Sequence, residues 1–112
     1  MTTITQIQLV APQVLGNADV SLYTSPTSTT TKIGRAVFTN TSASAVTITA
    51  GITTGVALGA ASTMISARTV APGESYVSSE LAGAVFPAGS QLHAFASAIA
   101  SVSFTASGLV VQ

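Results

Sequence analysis

The sequence predicts an all-β fold, a single-domain antiparallel β-sandwich of jelly-roll-like form with about eight strands, and three observations carry that prediction. Short apolar and β-branched runs recur with turn chemistry roughly every ten residues along the 112-residue chain. Thr, Val and Ile fill those runs, and their branched side chains suit a pleated surface. Two runs alternate with a period of two. In one, Val46, Ile48, Ala50 and Ile52 point inward while Thr47, Thr49, Gly51 and Thr53 point outward. In the other, Val102, Phe104 and Ala106 face inward between Ser101, Ser103, Thr105 and Ser107.

In chain order, the first strand is expected at residues 4–10, where Ile4, Ile7, Leu9 and Val10 alternate imperfectly with Thr and Gln. Residues 1–12 are equally compatible with an N-terminal arm that adds a strand to a neighbouring subunit's sheet. A second strand is expected at 20–23 and a third at 32–39. Counting by twos puts Ala36 and Phe38 on one face of the third, and Ile33 and Val37 on the other. A strand apolar on both faces is either central or covered by a neighbour. Asn40-Thr41-Ser42-Ala43-Ser44 suits a hairpin connection to the strand at 45–53.

The Gly/Ala-rich stretch 55–61 reads as a mobile loop, with a short helix over 57–68 as the alternative to a strand at 64–70. Ala71-Pro72-Gly73-Glu74 fits a type II turn, because its glycine takes the positive φ. Further strands are expected at 74–81, 91–98 and 101–107, with a corner at Phe86-Pro87-Ala88-Gly89-Ser90.

Charge is scarce. Only 5% of residues are Asp, Glu, Lys or Arg, the formal net charge is zero, and 47% of residues are hydrophobic. A free soluble domain usually carries roughly 25–35% charged residues on its surface. Ser, Thr and Asn could supply the solvation here. The favoured reading is that partner subunits cover much of the surface, because a near-neutral apolar chain tends to associate. The only fixed cations, Lys32, Arg35 and Arg68, are too few for a basic stripe, so no direct nucleic-acid binding is expected. No apolar run approaches the ~18 residues that span a bilayer, so no membrane partner is expected. The start, Met1-Thr2-Thr3-Ile4-Thr5-Gln6, has no basic n-region and predicts no signal peptide. With no cysteine, disulfides and thiolate sites are excluded, and the chain suits a reducing cytoplasm.

Catalytic and metal chemistry find little support. Asp19, Glu74 and Glu80 are the only carboxylates. On one strand, Glu74 and Glu80 would lie roughly 20 Å apart, too far for a paired-carboxylate mechanism. His93 is the only histidine; with Asp19 and a serine it could formally make a triad, yet no Gly-x-Ser-x-Gly elbow marks a serine. One histidine without cysteine does not make a metal site, and no cofactor is expected. Asn40-Thr41-Ser42 matches a glycosylation sequon that reads as an accident of a polar turn.

Several stretches together resemble small virion proteins of tailed bacteriophages. They are Val20-Ser21-Leu22-Tyr23-Thr24-Ser25-Pro26, Thr31-Lys32-Ile33-Gly34-Arg35-Ala36-Val37-Phe38-Thr39-Asn40-Thr41-Ser42, residues 43–49, and Ala71-Pro72-Gly73-Glu74-Ser75-Tyr76. Phe86-Pro87-Ala88-Gly89-Ser90-Gln91-Leu92 and Val102-Ser103-Phe104-Thr105-Ala106-Ser107-Gly108 complete the pattern. The resemblance implies a jelly-roll cement or decoration protein, non-enzymatic, assembled in the host cytoplasm and placed on the capsid surface. It would clamp neighbouring major capsid subunits and contact copies of itself as a homo-oligomer. A tail, collar or baseplate accessory protein shares the pattern. A carbohydrate-binding β-sandwich is the reading from another class, although Trp is absent and Tyr23 and Tyr76 are the only tyrosines.

The candidate interface residues are Ile4, Ile7 and Leu9 in the possible arm, Ile33 and Val37 on the second face of the third strand, and the cations Lys32, Arg35 and Arg68. Apolar burial repeated over many lattice copies would supply the attachment, with only weak dependence on salt.

Overall fold

The computed structural model describes residues 3–54, 57–59 and 62–112. These form nine strands and no helix: β1 (Ile4–Val14), β2 (Val20–Thr24), β3 (Thr30–Asn40), β4 (Val46–Thr53), β5 (Thr63–Val70), β6 (Ser75–Val77), β7 (Val85–Phe86), β8 (Gln91–Ala96) and β9 (Val102–Val111). One sheet runs β1-β9-β3-β6, with β7 also on β3; the other runs β2-β8-β4-β5. Every pairing is antiparallel. Four of them are nested: β4 with β5, β3 with β6, β2 with β8, and β1 with β9. A long hairpin rolled on itself gives this order, and it is the jelly-roll arrangement of two interlocked Greek keys. The body is elongated, 49 × 25 × 20 Å.

The two periodic runs supply the centre of the core. Val46, Ile48 and Ala50 of β4 meet Val102, Phe104 and Ala106 of β9 between the sheets, all buried. Phe38 and Phe104 lie on neighbouring strands with ring centroids 4.5 Å apart, and Leu15 and Leu81 from connecting segments and Phe86 from β7 are buried with them. Beyond Ala50 the alternation fails: Gly51 and Thr53, expected to face solvent, are buried, and Ile52 is half-buried. At Gly51 the cause is that Leu58 and Ser62, from the described part of the β4–β5 connection, lie against the outer face. A Cβ on Gly51 would collide with the Ser62 carbonyl oxygen and touch Leu58.

A bulge at Gly34 decides the faces of β3. Ile33 pairs with Gly108 and Arg35 with Ser107, so Gly34 is an extra residue without a partner on β9. Such an insertion reverses the parity of the strand. Ile33 therefore turns inward with Ala36 and Phe38, all three fully buried, and does not share a face with Val37 as counting by twos suggests. Gly108 permits the close approach: a Cβ there would strike the backbone of Lys32 and Ile33.

Asn40 ties the sheets together at the end of β3. Its Nδ2 donates to the carbonyl oxygens of Ser44 (2.8 Å) and Val70 (2.9 Å), and its Oδ1 accepts from the Ser42 amide (2.9 Å) and hydroxyl (2.7 Å). All four hydrogen-bonding positions of a fully buried amide are thus filled. The same atoms explain why the sequon is not an accessible glycan acceptor. They also correct the hairpin expectation, since residues 41–45 carry the chain from one sheet to the other.

Other expectations shift too. Residues 4–14 form the first strand of the chain's own sheet, paired along β9, and not a free arm. The strand expected at 74–81 stops at Val77, where the Ser78 hydroxyl accepts the Leu81 amide and starts a turn. That removes the premise of Glu74 and Glu80 on one strand. The helix considered over 57–68 gives way to β5, and β7 is an additional short strand. Residues 55, 56, 60 and 61 of the expected mobile loop lie outside the described residues. The two Pro/Gly turns form as expected, with Gly73 at φ 74° and Gly89 at φ 85°, closed by Glu74 N to Ala71 O (3.0 Å) and Ser90 N to Pro87 O (3.1 Å).

Candidate subunit-binding surface

The outer face of the β1-β9-β3-β6 sheet gathers exposed apolar side chains and two of the chain's cations. Along β3 the outward positions are Lys32, Arg35 and Val37, each flanked by outward residues of its neighbours. Lys32 lies between Leu109 of β9 and Val85 of β7; Val37 lies between Thr105 of β9 and Val77 of β6. Val85 is 58% and Val77 50% exposed. At the far end, Ile4 pairs with Val111 and is 65% exposed. Two shallow depressions indent this face. One, about 530 Å³, is lined by Gln6, Gln8, Gly34, Ser107 and Leu109 among others; the second, about 320 Å³, by Arg35, Val37, Thr105 and Ser107. They meet at Ser107, where Gly34 contributes no side chain.

The Gly34 bulge builds this surface. Residues three apart on a regular strand point to opposite faces. With Gly34 inserted, Lys32 and Arg35 both emerge on the outer side. Neither makes an ion pair among the described residues.

Arg68 sits elsewhere, at the open edge between β5 and β6. Its guanidinium stacks on the Tyr76 ring, 4.0 Å from the centroid, and the Tyr76 hydroxyl donates to the Glu80 carboxylate. Burial first, and then the bond and negative charge of Glu80, push the Tyr76 phenol up; the hydrogen bond from Tyr76 holds the Glu80 carboxyl below its usual range. The Arg68–Tyr76–Glu80 chain closes the seam where the sheets part.

His93 lies on the outer face of the second sheet and is buried. Its Nδ1 meets Asp19 Oδ1 at 2.8 Å and its Nε2 meets Gln91 Oε1 at 2.9 Å. The second Asp19 oxygen accepts the Leu58 amide at 2.8 Å. The nitrogen that would take a proton from a serine in a triad is held by Gln91 instead. This group pins the β4–β5 connection to the sheet.

Of the residues singled out from the sequence, Ile4, Lys32, Arg35 and Val37 are brought onto one face. Ile33 and Leu9 belong to the core, and Ile7 packs half-buried against it, so they present little surface to a partner. Arg68 is exposed at the seam. The sequence reading missed Val77, Val85 and Leu109, whose membership of this face depends on strand pairings distant along the chain.

Solved structures similar to this chain include three of infectious bursal disease virus or its VP2 protein. The VP2 subviral particle of infectious bursal disease virus matches at 14% identity and TM-score 0.55, over 98% of this chain and 32% of that chain. The Gx strain of the same virus matches at 13% identity and TM-score 0.53, over 98% and 31%. VP2 of derived T=1 particles matches at 12% identity and TM-score 0.54, over 98% and 31%. This chain spans about a third of the length of those chains, and at such identities the likeness is one of fold. No protein-family model and no curated protein sequence matches the chain.

Proposed function

We propose that this chain is a non-enzymatic structural protein of a virus particle, a cement or decoration protein on the capsid surface that clamps neighbouring major capsid subunits and touches copies of itself. The observation that carries the reading is a full jelly roll whose outer sheet face holds Val37, Val77, Val85, Leu109 and Ile4 with only two charges among them. Likeness of fold to a viral capsid protein supports it. So does the near absence of charge, which leaves apolar contact as the main source of affinity. Each copy would bind weakly, and a lattice of copies would act together.

A sugar-binding reading finds no support in the tyrosines. One face of the Tyr76 ring is taken by Arg68, and the ring stacks on Phe38; Tyr23 meets Phe86 edge-on. The test is quantitative mass spectrometry of purified particles. Copy numbers comparable with the major shell protein would support the cement role, and a dozen or fewer would move the chain to the tail or baseplate. Absence from particles would overturn the reading.

A further inference from the structure

We infer that the Lys32–Arg35 face of the outer sheet is the seat of an acidic segment, with apolar residues around its carboxylate, supplied by a different protein subunit. The inference rests on the capsid reading above and names the chemistry of its partner. Of the chain's three fixed cations, two are turned to the same face by one glycine bulge. Bulges characteristically re-aim a side chain where a site needs it. Both cations lack an ion-pair partner among the described residues, and the chain's three acids are hydrogen-bonded elsewhere: Asp19 with His93, Glu74 with the Ala71 amide, Glu80 with Tyr76. A local charge of +2 therefore stands uncompensated in a chain whose net charge is zero.

The surroundings select the rest of the partner. Val37, Val77, Val85 and Leu109 ring the cations with apolar surface, and the depression beside Arg35 has the small Ser107 in its floor. A carboxylate reaching Arg35 there gains charge-assisted hydrogen bonds while its neighbours cover valine and leucine. A second copy stacked face to face would instead set cation against cation, which disfavours that occupant.

Lys32 is the only lysine of the chain, which makes the test specific. Intact particles are treated with a zero-length carbodiimide, which joins an amine to a carboxylate in direct contact, and the peptide linked to Lys32 is identified by mass spectrometry. The expected result is an Asp or Glu of another structural protein. A link from Lys32 to Asp19, Glu74 or Glu80 of a second copy, or no link at all, overturns the proposal. A Lys32→Glu/Arg35→Glu chain, checked for an unchanged melting temperature, should re-attach to depleted particles at least tenfold more weakly than a Thr69→Glu control on the opposite sheet. Equal attachment overturns the proposal; should the double reversal fail to fold, Lys32→Gln/Arg35→Gln is used and judged by the same comparison. Abundance in untreated particles is scored first, and absence overturns the capsid reading itself and this proposal with it.

Discussion

Asn40 Nδ2 donates to the carbonyl oxygen of Val70 across 2.9 Å, joining the end of β3 in one sheet to the end of β5 in the other. Its remaining donor and both acceptor positions are spent on the turn that follows. Asn40→Ala would remove the side-chain donor to the Val70 oxygen and the acceptor of the Ser42 amide. Chemical denaturation should show a loss of about 2–3 kcal/mol, and Asn40→Asp should lose a similar amount because it cannot donate. A change within experimental error would mean that water replaces the amide.

Gly108 and Gly16 offer an internal contrast. A Cβ at 108 meets backbone that cannot move aside, whereas one at 16 meets nothing within 4 Å. Gly108→Ala should therefore cost about 1–3 kcal/mol through overpacking, and Gly16→Ala far less. Thermal melts of the two variants side by side decide it.

Removing residues 1–10 should abolish cooperative unfolding. Leu9 and Val10 are core residues and β1 pairs along the length of β9. A truncated chain that kept a sharp transition and dispersed amide spectra would restore the free-arm reading.

The Glu80 carboxyl has a lowered pKa in the fold, chiefly through its bond from Tyr76. A group of this kind contributes stability above its unfolded pKa, and that contribution fades as pH falls through the folded value. Urea midpoints of the wild type and Glu80→Gln should differ at neutral pH and converge in acid. A gap that stays constant across the acid limb would show that the charge of Glu80 is not involved.

Asp19 holds the Leu58 amide in place from across the sheet. In Asp19→Ala, hydrogen exchange at Leu58 should accelerate by about tenfold or more, as expected for loss of a bond to a charged acceptor, while amides of β9 keep their protection. Unchanged exchange at Leu58 would indicate a different anchor.

How much of this could be read from the residues depends on whether the signal is local. The periods at 46–50 and 102–106 identify two central strands, and Gly73 and Gly89 mark the β5–β6 and β7–β8 turns, because alternation and positive φ are written into adjacent residues. The bulge is not. Gly34 looks like any strand glycine until Gly108 and Ser107 of β9 are known to be its neighbours, so counting by twos put Ile33 with Val37. The hydrogen bond from Asn40 to Val70 spans thirty residues, and β7, at two residues, is too short to carry a period. The candidate surface was half visible: its cations and Val37 stood out, while Val77, Val85 and Leu109 joined through pairings that no local pattern announces.

The nesting of the strands has a mechanical consequence. β1 and β9 lie side by side, and Thr3 and Gln112 exchange backbone hydrogen bonds in both directions at 3.0 and 2.9 Å. Tension applied at these two residues would open that ladder like a zipper, one rung after another. Force entering through the broad outer face would be shared by all the rungs beneath it, so a molecule of this shape resists strain best when it is gripped by its face.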